Sequence, residues 1–232
     1  MNEKRIVVLT GAGISAESGL KTFRDSNGLW EEYNIEEVAT YSGWLRNPKL
    51  VLDFYNKRRG QLQGAVPNDA HIALAQLEKK YEVHVITQNV DDLHERGGST
   101  NIIHLHGELT KVRSTKYPEL VYNIGYKDIN IGDLCENGEQ LRPHIVWFGE
   151  AVPLMDDASK IVEEADYLLI IGTSLQVYPA AGLMHYAPSN CLIYLIDPKA
   201  ENSFQSNNIT VIRENAGTAV PKLVKELLDQ VE

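Results

Sequence analysis

The chain has 232 residues, of which 43% are hydrophobic and 23% are charged, and its formal net charge is −10. This composition is typical of a folded globular protein, and the acidic balance argues against a general nucleic-acid binder, which needs a basic surface. Only two cysteines occur, Cys135 and Cys191, which excludes a disulfide framework. The apolar run from Ile6 to Leu9 is too short for a signal peptide or a membrane span, so we expect a cytoplasmic protein that binds no membrane.

Short runs rich in aliphatic and β-branched residues recur along the chain and predict strands that are buried on both faces. They cover residues 5–10, 81–89, 101–107, 166–175, 191–197 and 209–212. Helical patterns lie between or after them at 69–80, 156–165 and 221–231, and Pro221 is expected at the first position of the last helix. This alternation predicts an α/β domain with a mostly parallel sheet.

Two stretches interrupt the alternation. Residues 27–66 are rich in aromatic and basic side chains, and residues 110–142 are rich in Gly, Pro, Asn and Asp. Structureless loops of such length are uncommon inside a compact domain. We therefore predict that both insertions form a smaller domain beside the sheet, while the larger domain is built from residues 1–26, 67–109 and 143–232.

The first predicted strand runs into the segment GAGISA, which fits the pattern G-x-G-x-x-A between a strand and a helix. Gly11 and Gly13 would let the backbone approach a pyrophosphate group. The glycines alone fit a tight strand-to-helix turn equally well. The acid that usually follows about 20 residues later in dinucleotide-binding folds is missing.

Small or polar residues also follow other predicted strands. Gln88, the segment Gly172-Thr173-Ser174, and Asp197 lie at strand ends. Ligands of open parallel sheets bind outside the carboxyl ends of the strands, so these positions together favour a nucleotide site. Asp197 is a candidate for binding an adenosine ribose hydroxyl, although an aspartate here can equally serve as a cap or turn residue.

Five motifs occur in a specific order at residues 11–30, 87–92, 104–109, 142–150 and 172–180. In these motifs the chain resembles the sirtuin family of NAD-dependent protein deacylases over nearly its whole length. The resemblance implies a Rossmann-type domain, a small domain made from two insertions, and a cleft between them. That cleft would bind NAD, which is consumed, and an acylated lysine side chain of a protein substrate.

The resemblance also implies roles for individual residues. His106 corresponds to the catalytic general base, and Asn89 and Asp91, with Gln88, correspond to residues that hold the nicotinamide ribose and order a water. The implied cofactor contacts, which include a gate at Phe23 and Arg24, are Gly11, Ala12, Gly13, Ser15, Phe23, Arg24, Trp30, Gln88, Asn89, Asp91, Gly172, Thr173, Ser174, Asp197 and Ala216. The implied contacts with the peptide are Val146, Trp147, Phe148, Gly149 and Val177.

The chemistry suits a histidine base. A lysine amide resists attack at neutral pH, whereas NAD offers an electrophilic sugar carbon and nicotinamide as a leaving group. A base must take the proton that is relayed from the ribose hydroxyls, and the pKa of histidine, about 6.5, is suitable. The amide oxygen would attack the sugar carbon as nicotinamide leaves, and reaction with one water would then give O-acyl-ADP-ribose and free lysine.

The segment IHLHGE places His104 two positions before His106. In a strand both would point to one face and could share a metal, but no nearby Cys or Asp completes a ligand set. We therefore interpret His104 as structural and predict no metal at this position.

Tyr55 and Arg58 are three residues apart and would share one face of a helix. A phenol beside a guanidinium can bind a carboxylate, although the same pattern is typical of a solvated amphipathic helix. The Tyr-x-x-Arg spacing resembles class III sirtuins, which implies desuccinylase or demalonylase activity beside deacetylation.

Most sirtuins hold a structural zinc with four cysteines, but residues 110–142 contain only Cys135. One thiolate cannot build a closed tetrahedral site, so we predict no zinc. Two alternative functions stay open from the sequence, mono-ADP-ribosyl transfer and a non-catalytic NAD-binding module.

Overall fold

The computed structural model describes residues 4–22, 33–200 and 207–230. The strands are β1 Arg5–Thr10, β2 Glu82–Thr87, β3 Ile102–His104, β4 Gly107–Ser114, β5 Val121–Asn123, β6 Leu141–Ile145, β7 Tyr167–Ile171, β8 Leu192–Ile196 and β9 Ile209–Ile212. The helices are α1 Gly13–Ala16, α2 Ile35–Val38, α3 Tyr41–Arg46, α4 Pro48–Gly64, α5 Asp69–Leu77, α6 Leu93–Gly97, α7 Met155–Val162 and α8 Ala216–Asp229, with a 3₁₀ helix at Ala180–Tyr186.

The larger sheet has six strands in the order β3-β2-β1-β7-β8-β9, and every neighbouring pair is parallel. All six strands predicted from the apolar runs belong to it, which confirms the predicted α/β fold. The strands β1 and β9 match the predicted runs 5–10 and 209–212, whereas the other four strands are shorter than their runs at both ends. The strand order reverses at β1, so a crevice is expected between β1 and β7.

Alternate residues of β1 face two different helical layers. Ile6 and Val8 pack in one apolar cluster with α5 and α8, whereas Val7 and Leu9 pack in another with α7 and the 3₁₀ helix. All four side chains are fully buried. Coverage on both faces is the physical reason why these strands are uniformly apolar instead of alternating.

The last helix begins earlier than predicted. The expectation that Pro221 is its first residue is wrong, because α8 begins at Ala216 and Pro221 lies inside it. An interior proline costs about 3 kcal/mol or more. The preceding turn is nevertheless helical because Ala216, Ala219 and Val220 are buried against the sheet. The free energy of this burial depends on tertiary packing, so a local sequence pattern does not reveal it.

The strands β5, β4 and β6 form a separate antiparallel sheet in that order. Beside it lie α2, α3 and α4, and Val51 and Phe54 of α4 share an apolar cluster with Val112 and Ile145 of the sheet. The start of α4 follows from its sequence, since Pro48 occupies the first turn and the Asn47 side chain accepts the Leu50 N–H at 3.1 Å.

Both insertions therefore contribute to one apolar cluster. The small sheet starts at Gly107 and ends at Ile145, so its strands extend beyond the predicted insertion 110–142 at each end. The division of the chain into two domains stays a prediction. In the described part of the chain, no helix is long and apolar enough to span a bilayer.

Candidate functional site

Two glycine-rich turns meet where the carboxyl ends of β1 and β7 lie side by side. The Gly11 N–H donates to the Ile171 carbonyl at 3.0 Å, and the Gly13 N–H donates to the Gly172 carbonyl at 2.8 Å. Gly172 has φ +61°, and a Cβ atom on it would lie 2.3 Å from the Ile14 nitrogen. The two backbones thus approach more closely than side chains would allow. We call this arrangement of Gly11, Gly13 and Gly172 the glycine cradle.

A cleft of about 730 Å³ extends from the glycine cradle to the small sheet. It brings together most of the predicted site residues, from both parts of the chain. These are Gly11, Ala12, Gly13, Gln88, Asn89, His106, Gly172, Thr173, Ser174, Asp197 and Ala216 on the cofactor side, and Tyr55, Arg58, Val146, Trp147, Phe148, Gly149 and Val177 on the substrate side.

Two of the described residues that were predicted for the site lie outside this cleft. Ser15 and Asp91 do not line this cleft and instead line a small second cavity, which they share with Asn89. Phe23, Arg24 and Trp30 lie outside the residues that the structure describes. The roles of all these residues stay predictions.

The cleft also has walls that the sequence did not predict. Val90 and Ile145 contribute apolar surface, and Thr22 and Asn215 contribute polar groups. Val90 and Ile145 lie inside the motifs at residues 87–92 and 142–150. Thr22 likewise lies inside the motif at residues 11–30, so position within a motif could have indicated these three residues, whereas no motif contains Asn215.

His106 lies in the turn between β3 and β4, and its ring lines the cleft. Its Nδ1 is 3.0 Å from the carbonyl oxygen of Gln88, and because a carbonyl only accepts, Nδ1 carries the proton. Nε2 is then the basic nitrogen. Burial lowers the pKa of His106 below its ordinary value, and the hydrogen bond to Gln88 offsets only part of this effect. The imidazole is therefore neutral at neutral pH, as a general base must be.

His104 has a different environment. It ends β3, and the chain then turns because Gly107 adopts φ +81°. Its Nδ1 is 3.0 Å from the Asn89 carbonyl oxygen, and its Nε2 is 2.7 Å from Glu95 Oε1. The expectation that both histidines share one strand face is wrong, since only His104 belongs to the strand.

The contact with Glu95 makes His104 a source of pH-dependent stability. Burial by itself lowers the pKa of His104, but the Glu95 carboxylate and the Asn89 carbonyl outweigh burial and raise this pKa above its ordinary value. A raised pKa stabilises the fold fully below the unfolded-state value, about 6.5, and this contribution is lost as pH rises through the folded-state value.

We therefore expect the free energy of unfolding to decrease above neutral pH, and His104→Gln to remove that part of the decrease. Urea unfolding at several pH values between about 6 and 9 measures this. Identical pH slopes for the wild type and the variant would contradict the assignment.

A buried hydrogen-bond network connects the glycine cradle to the loop after β2. The Asn89 side chain donates to the Gly11 carbonyl at 3.1 Å and to Ser15 Oγ at 3.2 Å, and Ser15 Oγ donates to Asp91 Oδ2 at 3.0 Å. Burial raises the pKa of Asp91, while hydrogen bonds from the Leu93 N–H and Ser15 act in the opposite direction. Ser15 and Asp91 thus hold Asn89 in place from behind the cleft.

The remaining cofactor-side residues come from three strand ends and one helix start. Gln88 Nε2 donates to Thr173 Oγ1 at 3.2 Å, which connects the ends of β2 and β7. Asp197 Oδ1 accepts the Lys199 N–H at 2.7 Å, which is a hydrogen bond typical of a turn residue. Asp197 also lines the cleft. Ala216 reaches the cleft because α8 begins there.

Tyr55 and Arg58 lie one turn apart on α4, and both line the cleft. The Tyr55 hydroxyl oxygen accepts a hydrogen bond from Trp147 Nε1 at 3.0 Å, and the Arg58 guanidinium carbon is 5.9 Å from the Tyr55 ring centroid. Burial raises the pKa of Tyr55, so the phenol stays protonated. Arginine keeps its charge at neutral pH, and the pair can therefore offer a cation and an O–H donor to a carboxylate.

One group of described side chains has the composition of a metal site. The ligand atoms of Glu95, His104 and Glu108 lie within 4.8 Å of one another. His104 Nε2 is already bonded to Glu95, and Glu108 Oε2 accepts from Lys111 Nζ at 2.6 Å. Because both carboxylates already have cationic partners, we assign no metal to this group.

In the small sheet, Cys135 is buried with its Sγ atom 3.4 Å from Ser114 Oγ. Ser114 Oγ also accepts the backbone N–H groups of Lys116 and Tyr117, which closes the turn after β4. The absence of zinc stays a prediction, and metal analysis of the purified protein tests it.

Comparisons with known proteins identify similarity along nearly the whole chain. The family model described as the Sir2 family matches residues 11–179. A Helicobacter pylori protein named NAD-dependent protein deacylase is 59% identical, and the match covers 97% of this chain and 98% of that protein. A Bacteroides thetaiotaomicron protein of the same name is 54% identical, with the same two coverages of 97% and 98%.

Solved structures are similar as well. A Sir2 homologue in complex with NAD has a TM-score of 0.89 and 39% identity, and the match covers 100% of this chain and 92% of that chain. A Sir2 structure with a deacetylated p53 peptide and 3′-O-acetyl ADP-ribose has a TM-score of 0.78 and 28% identity, with coverages of 99% and 94%.

Proposed function

Because this chain belongs to the Sir2 family, we propose that it is an NAD-dependent protein deacylase that removes acyl groups from lysine side chains of other proteins. The observation that carries the proposal is the neutral imidazole of His106 in the same cleft as the glycine cradle. The names of the relatives, and the similar structures with NAD and ADP-ribose, support NAD as the co-substrate.

The glycine cradle fits a dinucleotide because its three glycines have no side chains. A Cβ atom on Gly13 would lie 2.6 Å from the Gly172 Cα atom, so side chains would push the two turns apart and change the backbone surface that a pyrophosphate would contact. When bound, NAD supplies an electrophilic sugar carbon and nicotinamide as a leaving group. Gln88 and Asn89, at the end of β2, would orient the ribose.

The residues of the chain have two further tasks in this reaction. His106 Nε2 would take a proton from the ribose, while the Gln88 carbonyl keeps Nδ1 protonated. Residues 146–149 would bind the peptide backbone as an added strand. They lie next to the base, because the Val146 N–H donates to the His106 carbonyl at 2.9 Å.

A panel of acetyl-, succinyl- and malonyl-lysine peptides with NAD, read by mass spectrometry, tests the function. We expect nicotinamide, O-acyl-ADP-ribose and free lysine, and we expect nicotinamide release only when acyl-peptide is present. An ADP-ribosylated protein product would instead indicate mono-ADP-ribosyl transfer. NAD binding without nicotinamide release would indicate a non-catalytic module.

Within this function we propose a preference for acyl groups that end in a carboxylate, with acetyl-lysine as an additional substrate. Tyr55 and Arg58 support it, because both line the cleft and lie side by side. Succinyl, malonyl and glutaryl groups carry a carboxylate that this pair can bind, whereas an acetyl group does not.

Arg58→Met should therefore lower kcat/KM for a succinyl-peptide by about 10- to 100-fold, the range for losing a charged hydrogen bond. Deacetylation of the same peptide sequence should fall much less. The matched control is Lys57→Met, which removes an exposed cation from the same helix. Equal losses for the two acyl groups in Arg58→Met would refute the carboxylate preference.

A further inference from the structure

The indole ring of Trp147 is clamped by the groups around it. The Arg142 guanidinium carbon lies 3.3 Å from the Trp147 ring centroid, and the Trp44 ring centroid lies 5.8 Å away. Glu150 holds this arrangement, because it accepts two hydrogen bonds from Arg142, at 2.8 and 3.1 Å, and one from the Trp147 backbone N–H at 2.7 Å. The ring is therefore fixed before any ligand binds.

The clamp directs the indole N–H at Tyr55. Trp147 Nε1 is 3.0 Å from the Tyr55 hydroxyl oxygen, and both side chains are only 2% exposed. An indole nitrogen can only donate, so the Tyr55 oxygen is the acceptor and its own proton cannot point at Trp147. Because a phenol O–H lies near the plane of its ring, a donor on one side of the oxygen leaves the other side for the proton.

We propose that Trp147 is a positioning residue for acyl selectivity, which turns the Tyr55 hydroxyl proton toward the cleft so that Tyr55 and Arg58 together bind the acyl carboxylate. The inference rests on the proposed carboxylate preference. A hydroxyl that is already oriented loses no rotational freedom when the ligand binds, and such preorganisation strengthens recognition. The neutral phenol that this requires agrees with the raised pKa of the buried Tyr55.

The test uses the selectivity ratio, defined as kcat/KM for a succinyl-peptide divided by kcat/KM for an acetyl-peptide of the same sequence. Trp147→Phe keeps an aromatic ring but removes the N–H donor, and it should lower the ratio about fivefold, the effect of one neutral hydrogen bond. Tyr55→Phe should lower it at least as much. Adding Trp147→Phe to Tyr55→Phe should change the ratio no further, because no hydroxyl is left to orient.

The control is Trp44→Phe, which alters the same aromatic cluster and should leave the ratio unchanged. If Trp147→Phe fails to fold, 3-benzothienylalanine at position 147 keeps the bicyclic volume and replaces only the N–H with sulphur. An unchanged ratio for either replacement, while Tyr55→Phe and Arg58→Met lower it, would overturn this inference and leave the proposed function intact. An unchanged ratio in Arg58→Met would overturn the carboxylate preference itself, and the role of Trp147 with it.

Discussion

Replacing His106 with alanine is expected to lower kcat for deacylation by about 10²- to 10⁴-fold, the contribution typical of a positioned acid–base group. The physical reason is that Nε2 of a neutral imidazole on the cleft wall is the base, and alanine offers no proton acceptor. NAD affinity, measured by isothermal titration, should change little because the glycine cradle is untouched. Single-turnover kinetics with an acyl-peptide measure the loss.

The pH profile supplies an independent check on His106. The base must be unprotonated, and burial lowers its pKa. The deacylation rate should therefore stay constant as pH falls to about 6.5, the ordinary pKa of histidine, and should decline only at lower pH. His84→Ala is a matched control, because His84 lies on β2 and bonds to Glu82 instead of facing the cleft. If His106→Ala retained activity within a few-fold of the wild type, another group would have to be the base.

Gly172→Ala is expected to abolish tight NAD binding and to destabilise the fold. An alanine at φ +61° would place its Cβ atom 2.3 Å from the Ile14 nitrogen and 2.6 Å from the Gly13 carbonyl carbon, so the cradle must open. Displacement of about 1 Å in a site can cost about 100-fold in function. Isothermal titration with NAD and thermal unfolding measure the two effects.

The control for Gly172→Ala separates the effect of steric overlap of the Cβ atom from the effect of left-handed backbone strain. Gly138 has φ +78°, but a Cβ atom on it would have nothing within 4 Å. Gly138→Ala should therefore cost only the left-handed strain, about 1–2 kcal/mol, and leave NAD affinity unchanged. If both variants bound NAD as well as the wild type, the close backbone approach would not be what shapes the cofactor site.

Much of the fold was predictable because its signals are local. Strands such as β7, with Tyr167–Ile171 buried throughout, read as continuous apolar runs. The start of α8 was not predictable, since the turn before Pro221 is helical only through its burial against the sheet. The ends of the small sheet were not predictable either, because β4 and β6 pair with each other although residues 115–140 lie between them in the chain.

In the candidate site, too, some features were predictable from the sequence and others were not. The motifs predicted most of the residues that line the cleft, because carboxyl ends of parallel strands meet at one edge of a sheet. Pairwise contacts could not be predicted. Nothing in the sequence indicates that Glu95 bonds to His104, or that Trp147 donates to Tyr55, which lies 92 positions earlier.

By itself, the order of residues determined the parallel sheet, the family resemblance and the candidate base, since apolar runs, glycine turns and short motifs act within a few neighbouring positions. The tertiary structure alone decided which nitrogen of His106 is basic, that Ser15 and Asp91 line the second cavity, and that Trp147 donates to the Tyr55 hydroxyl oxygen. These properties depend on burial and on hydrogen-bond partners that folding brings together from distant parts of the chain.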